Sequence, residues 1–234
     1  MLWSKPKTIS FAEAQRVLVT VLRDVRCNDW ANKVSAASAN SFRSLLGGMG
    51  SFNDVVICRA NHHELATDRE PLANELVDCM RSVCYATRDG AIAADAAIAS
   101  CGTISLVLTG WRCLVCGHGQ ISSRGARSFV GAVEVRKALR DGINQRAPSD
   151  ALLALWREPE NFLAVRVLVD MARTSGIQYS EGEGWMRPCP GCGGNNTCVY
   201  RWKRDHDEFV PTADNLPLRI AKRGEEEDSF TSAC

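Results

Sequence analysis

Cys113-Leu-Val-Cys116-Gly-His-Gly119 and Pro188-Cys189-Pro-Gly-Cys192-Gly-Gly194 are the two stretches on which the fold turns. Two residues between a pair of thiolates let one tight turn aim both sulfurs at a single tetrahedral ion, with Zn–S near ~2.3 Å. A glycine follows each second cysteine, where such a turn needs positive φ and close backbone approach. Trp111 precedes the first pair, Trp185 the second, and Tyr200 and Trp202 follow it. Two such hairpins facing one another make a zinc ribbon, so the expected ligands of one structural Zn2+ are Cys113, Cys116, Cys189 and Cys192. Seventy-two residues separate the pairs, against the usual ~15–20. Loop closure grows only logarithmically, so this costs about 1.2 kcal/mol more than an 18-residue loop. A structural zinc site worth ~10 kcal/mol or more absorbs that difference. The alternative gives each pair its own ion, with His118, Cys198 or His206 completing two sites.

Outward from these knuckles, residues 120–184 read as a helical insertion in a split ribbon. The pattern predicts helices over Gly125–Gly142, Ser149–Arg157 and Glu160–Thr174. The flanking segments Thr103–Thr109 and Cys198–Lys203 carry strand character. Residues 1–100 read as a helical domain. Ser10 and Glu13 form a capping-box pattern opening a helix through Val25. A second helix is expected from Asp29 to Leu46, ended by Gly47-Gly48. Thr67 and Glu70 repeat the capping-box pattern before a helix with Leu72, Leu76, Val77, Met80, Val83 and Cys84 on one face. Ala91–Ser100 forms another helix. The fold class is therefore mainly α with a small β zinc-ribbon element. The domains are 1–100, 101–221 and a disordered acidic tail, 222–234.

The composition narrows the function. Across 234 residues the net charge is +1, with 45% hydrophobic and 24% charged residues. No run approaches the ~18 apolar residues of a membrane span, and the first residues lack the pattern of a signal peptide. Eleven cysteines, an odd number without a secretion signal, argue for reduced thiols and a cytoplasmic chain. Cys27, Cys58, Cys79, Cys84 and Cys101 sit among apolar residues and read as small core side chains.

His62-His-Glu64 with Pro188-Cys-Pro-Gly-Cys192 spells the zinc-deaminase pattern, in which a glutamate shuttles protons for a zinc-activated water. The 124 positions between Glu64 and Pro188 speak against it, as do the helix-breaking glycines after Cys192. Phosphate-loop, dinucleotide and nucleophile-elbow motifs are absent, and no enzyme is expected.

Basic residues cluster twice. Arg124, immediately before one predicted helix, and Arg127, Arg136, Lys137 and Arg140 within it form the first cluster, the last three at spacings that share a face. Arg201-Trp202-Lys203-Arg204 mixes cations with an aromatic ring beside the second knuckle. Both are candidate nucleic-acid contacts, through phosphate pairing and base stacking.

Leu46-Gly-Gly-Met-Gly-Ser-Phe-Asn-Asp-Val-Val-Ile57, with the Asn61-His62 turn and the helix after it, resembles a small bacterial and phage domain of unknown function. That resemblance spans roughly Val17 to Ala86. The second half resembles phage late-gene antitermination proteins of the Q type. This resemblance implies a zinc site from two Cys-x-x-Cys pairs, DNA-binding helices and loading onto RNA polymerase. The expectation is thus a zinc-stabilised transcription regulator binding DNA and/or RNA polymerase. The competing readings are a protein-binding inhibitor of a host complex and a deaminase-type hydrolase.

Overall fold

The computed structural model describes residues 7–113, 115–158, 165–166, 189, 191–193, 197–206 and 230–231. The described chain is mainly helical with two small sheets, the first an antiparallel pair of β1 (Thr8–Ile9) and β2 (Ile92–Ala93). It divides into two units, one formed by residues 1–103 and 131–160, the other by 104–130 and 161–234. Among the described residues no helix is long and apolar enough to cross a membrane.

The first unit is built on α1 (Phe11–Asp24) and α3 (Glu70–Ala86). Ser10 caps α1 through the expected capping box, with Glu13 reaching back to the Ser10 N–H at 2.9 Å. Apolar residues of α1 recur every three or four positions, and Ala14, Val17, Leu18, Val21 and Leu22 are buried. They share one core with Leu72, Leu76, Met80 and Val83 of α3. An aromatic corner closes one end, with Phe42 edge-on to both Phe11 and Phe52, and Trp30 against Phe52 at 5.1 Å.

The expected helix from Asp29 to Leu46 is broken. α2 covers only Asn28–Ala36, and a 3-10 turn takes over at Phe42–Leu46. The cause is local: the side chains of Ser38 and Ser41 exchange hydrogen bonds with each other's backbone N–H. Serine so placed offers the backbone an alternative to the helix ladder. Gln15 of α1 also takes up the Val34 and Ala37 carbonyls that a continuing helix would use. The second expected capping box does not form either. Thr67 lies in a 3-10 turn, α3 is capped at Arg69 without a side-chain bond, and buried Glu70 accepts the Arg59 N–H at 2.9 Å.

Cys27 and Cys84 are buried thiols, as core residues should be, and Cys58 is half-buried. Cys79 and Cys101 depart from that reading: they form a disulfide between α3 and the end of α4 (Ala94–Ser100). The odd cysteine count carried no trace of this pair, because cysteine is as much at home in a core reduced as oxidised.

α5 (Ser123–Asn144) and α6 (Pro148–Arg157) form where their patterns predict. Residues 131–160 cluster with the first unit and 104–130 with the second. Val135, Leu139, Ile143, Leu152, Leu153 and Trp156 complete the same core as α1 and α3. Trp156 donates to Asp24 at 2.8 Å, and the Arg69 guanidinium lies 4.7 Å over its ring. The helix expected at Glu160–Thr174 lies outside the described residues, apart from 165–166.

Gly142 marks the closest approach of α5 to the start of α6. A Cβ there would sit 2.7 Å from the Pro148 Cα and 2.8 Å from the Ala151 Cβ. Gly→Ala in an exposed helix interior gains about 1 kcal/mol of propensity, whereas forced overpacking costs about 1–3 kcal/mol. Gly142→Ala is therefore expected to destabilise the chain by roughly 1–2 kcal/mol in urea unfolding. A gain would show that the two helices separate freely.

The second unit holds a four-stranded antiparallel sheet in the order β4-β3-β5-β6. β3 is Ile104–Cys113, β4 Gly119–Ile121, β5 Thr197–His206 and β6 Phe230–Thr231. β3 runs longer than its β-branched stretch suggested, because β5 pairs with it along all ten residues, from Ile104↔His206 to Cys113↔Thr197. Within the tail expected to be disordered, Phe230 and Thr231 pair with Trp202 and Arg201.

Candidate metal centre

The two knuckles are built alike. In the first, β3 ends at Cys113, whose N–H donates to the His118 carbonyl at 2.7 Å, and the Gly117 N–H returns to the Cys113 carbonyl at 3.0 Å. Gly117 has φ 73, which a side chain would strain. β4 then pairs back onto β3, Arg112↔Gly119, so the knuckle is the turn of a hairpin. In the second, the Gly193 N–H donates to the Cys189 carbonyl at 2.8 Å, and Gly193 has φ 70. The Gly191 N–H points at the Cys189 sulfur, 3.3 Å away. Gly191 also faces the first knuckle, since a Cβ there would meet the His118 ring at 3.4 Å.

Sheet pairing spans the 72-residue gap. β3 leads into the first knuckle and β5 follows the second, so the Cys113↔Thr197 register sets the two turns side by side. Cys113 and Cys192 sulfurs are 3.6 Å apart, and those of Cys116 and Cys189 are 3.7 Å apart. All four sulfurs lie within 4.8 Å of one another, close enough to hold a metal ion. Cys113 and Cys189 are buried, whereas Cys116 and Cys192 reach the surface. The Cys113 thiol is drawn down to about 7, chiefly by the Cys116 N–H and further by the Val115 N–H and the Cys192 and Cys116 thiols, against the opposing effect of burial. Metal ligation needs the thiolate, so amides aimed at sulfur favour the binding form.

Of the groups weighed for a second site, only His206 lies far along the strand from the knuckles, while His118 and Cys198 occupy positions next to them. His206 pairs with Ile104, nine strand residues from Cys113, or roughly 30 Å at ~3.4 Å per residue. Cys198 occupies the position opposite Arg112 in β5. His118 lies against Gly191. The deaminase-type residues have other partners: His63 Nδ1 accepts the Cys58 N–H at 3.2 Å, and Glu64 pairs with Arg26 at 2.9 Å. Cys189 and Cys192 meet Cys113 and Cys116.

The basic residues separate. Arg124 and Lys137 are exposed, Arg127 is half-buried, and Arg140 is partly exposed, 3.8 Å from Asp95. Arg136 must be withdrawn from the candidate nucleic-acid surface. It is 6% exposed, and its guanidinium donates to the Ala132, Cys101 and Gly102 carbonyls at 2.9, 2.7 and 3.0 Å. Helical spacing correctly groups residues into a row, but it does not say which way the row faces. Arg201, Trp202, Lys203 and Arg204 lie in β5, opposite Thr109, Leu108, Val107 and Leu106.

Sequence reading also passed over Glu75. Burial lifts its carboxyl to about 7, with Arg136 as the main opposing influence and Asp78 raising it further. A lone glutamate on a predicted helix gives no sign of a buried partner 61 residues away.

Comparison with known proteins matches residues 25–66 to a domain of unknown function, DUF6966. The matched stretch contains Gly50-Ser-Phe-Asn-Asp54 and lies within the N-terminal half where a domain of unknown function was expected. No curated protein and no solved structure matches the chain.

Proposed function

We propose that the chain is a zinc-stabilised, non-enzymatic regulator that binds nucleic acid and/or RNA polymerase, as an antiterminator-like phage or prokaryotic transcription regulator does. Cys113, Cys116, Cys189 and Cys192 hold one Zn2+ and close a split zinc ribbon. The observation that carries this reading is the pair of S···S separations, 3.6 and 3.7 Å. Four sulfurs about 2.3 Å from a tetrahedral ion stand about 3.8 Å apart. A shell of four thiolates leaves no open position for water or substrate, so the metal is structural and the deaminase-type reading lacks its reactive group.

Binding falls to the candidate cations other than Arg136. Arg124 and Arg127 lie in the first turns of α5, directly after β4. Lys137 and Arg140 follow on the same helix, and Arg201–Arg204 belong to the strand paired with β3. Fluorescence anisotropy of the metal-loaded chain with duplex DNA tests this. Affinity is expected to fall steeply between about 50 and 200 mM salt, and Arg124→Ala with Arg127→Ala to flatten the slope by about 2. Salt-independent binding, or none to DNA or purified RNA polymerase, rejects the proposal.

One observation favours a protein-binding reading. Val115, at the tip of the first knuckle, is 65% exposed. On that reading Val115→Asp abolishes partner binding while Arg140→Glu leaves it intact.

A further inference from the structure

An open pocket of about 650 Å³ lies in the first unit, within the ~300–1,000 Å³ range of small-molecule sites. Its wall is formed by the Phe42–Leu46 turn, the loop after it and the C-terminal half of α3, with Arg43, Leu46, Asn53, Arg81, Ser82 and Tyr85 among the lining residues. The lining has two guanidinium groups and no carboxylate. Arg81 is paired with Asp78, so Arg43 supplies the positive charge that this lining leaves open.

The two arginines differ in their partners. Arg81 pairs with Asp78 at 2.7 Å, donates to the Phe52 carbonyl at 2.9 Å and lies 5.7 Å over the Phe52 ring. Arg43 is exposed and has no ion pair among the described residues. The half-buried Ser82 hydroxyl likewise has no hydrogen-bond partner among the described residues. Tyr85 and Leu46 supply an aromatic ring and an aliphatic surface. One part of the lining thus suits an anion and another an apolar body.

We propose that this pocket binds a small organic anion, its phosphate or carboxylate taken by Arg43 and Arg81 with the Ser82 hydroxyl, its apolar body packed on Tyr85 and Leu46. The site uses residues of the first unit alone and does not depend on the metal centre. Arg43, Leu46, Gly47 and Asn53 fall inside the stretch matched to DUF6966.

Titration of the full chain, followed by amide NMR shifts of residues 43–53 and 81–86, tests it with three probes: phenyl phosphate, benzoate and inorganic phosphate. At least one aromatic anion is expected to bind about 10-fold more tightly than inorganic phosphate, and the stronger of the two identifies the anionic group. Arg43→Ala should weaken that probe about 10-fold, and Tyr85→Ala should erase its advantage over inorganic phosphate. Both side chains reach solvent, and unchanged thermal unfolding of the variants verifies an intact fold. No saturable shift with any probe up to about 10 mM, or binding indifferent to Arg43→Ala, overturns the proposal.

Discussion

Stripping the metal from the purified chain is expected to release one zinc per molecule and to expose four previously protected thiols. Chelation should dismantle the two knuckles, because the sulfurs of Cys113, Cys116, Cys189 and Cys192 then lose the ion that offsets their close approach. For a closed four-thiolate zinc site the apparent binding free energy is about 10–16 kcal/mol at neutral pH. Cys113→Ser is expected to weaken zinc binding by several orders of magnitude and to lower the melting temperature of the second unit. Cys84→Ser, at a buried thiol of the first unit, should leave zinc content unchanged. Metal analysis finding two ions would favour a separate site for each pair. A chain with no bound metal, and with freely reactive Cys113 and Cys189, would defeat the zinc reading altogether.

Arg136→Ala is expected to destabilise the first unit by about 1–3 kcal/mol, the usual cost of leaving buried carbonyls without their donor. The substitution strands the Cys101 and Gly102 carbonyls at the end of α4 and leaves Glu75 without its cation. Lys137→Ala, one residue away and exposed, should change stability by no more than about 0.5 kcal/mol. Equal, small effects at both positions in urea unfolding would place Arg136 on the surface.

The same pair sets a pH dependence. Glu75 titrates near 7 in the folded chain against an ordinary 4.5. Its protonated form is thus favoured by folding, and that stability is fully present below about pH 4.5 and lost as pH rises through 7. Relative to Glu75→Gln, the parent chain should therefore weaken between pH 4.5 and 7.5, by up to roughly 3 kcal/mol at 1.36 kcal/mol per pKa unit. A difference that stays constant over that range would mean Glu75 remains ionised throughout.

Local chemistry was legible where one short segment carries its own instructions. Ser10 and Glu13 are three residues apart, so their capping box needs nothing beyond the first turn of α1. Each Cys-x-x-Cys-Gly likewise contains the whole of its knuckle, including the glycine at positive φ. Thr67 and Glu70 have the same letters as Ser10 and Glu13 but form no cap, because Glu70 is taken by the Arg59 N–H across a loop. The break after α2 was missed because Gln15, which occupies the Val34 and Ala37 carbonyls, comes from another helix.

The sequence by itself determined the mainly helical character and the two knuckles with their paired cysteines. These follow from short-range sterics and periodicity, which act within a turn or two of chain. Tertiary structure decided which residues are inside. It turned Arg136 into the core, joined Cys79 to Cys101, lifted Glu75 toward neutrality and assigned residues 131–160 to the first unit. It also brought the knuckles together through the β3–β5 register rather than through anything near the cysteines. Burial, desolvation and strand pairing depend on chain that is distant in sequence, so no local pattern of letters encodes them.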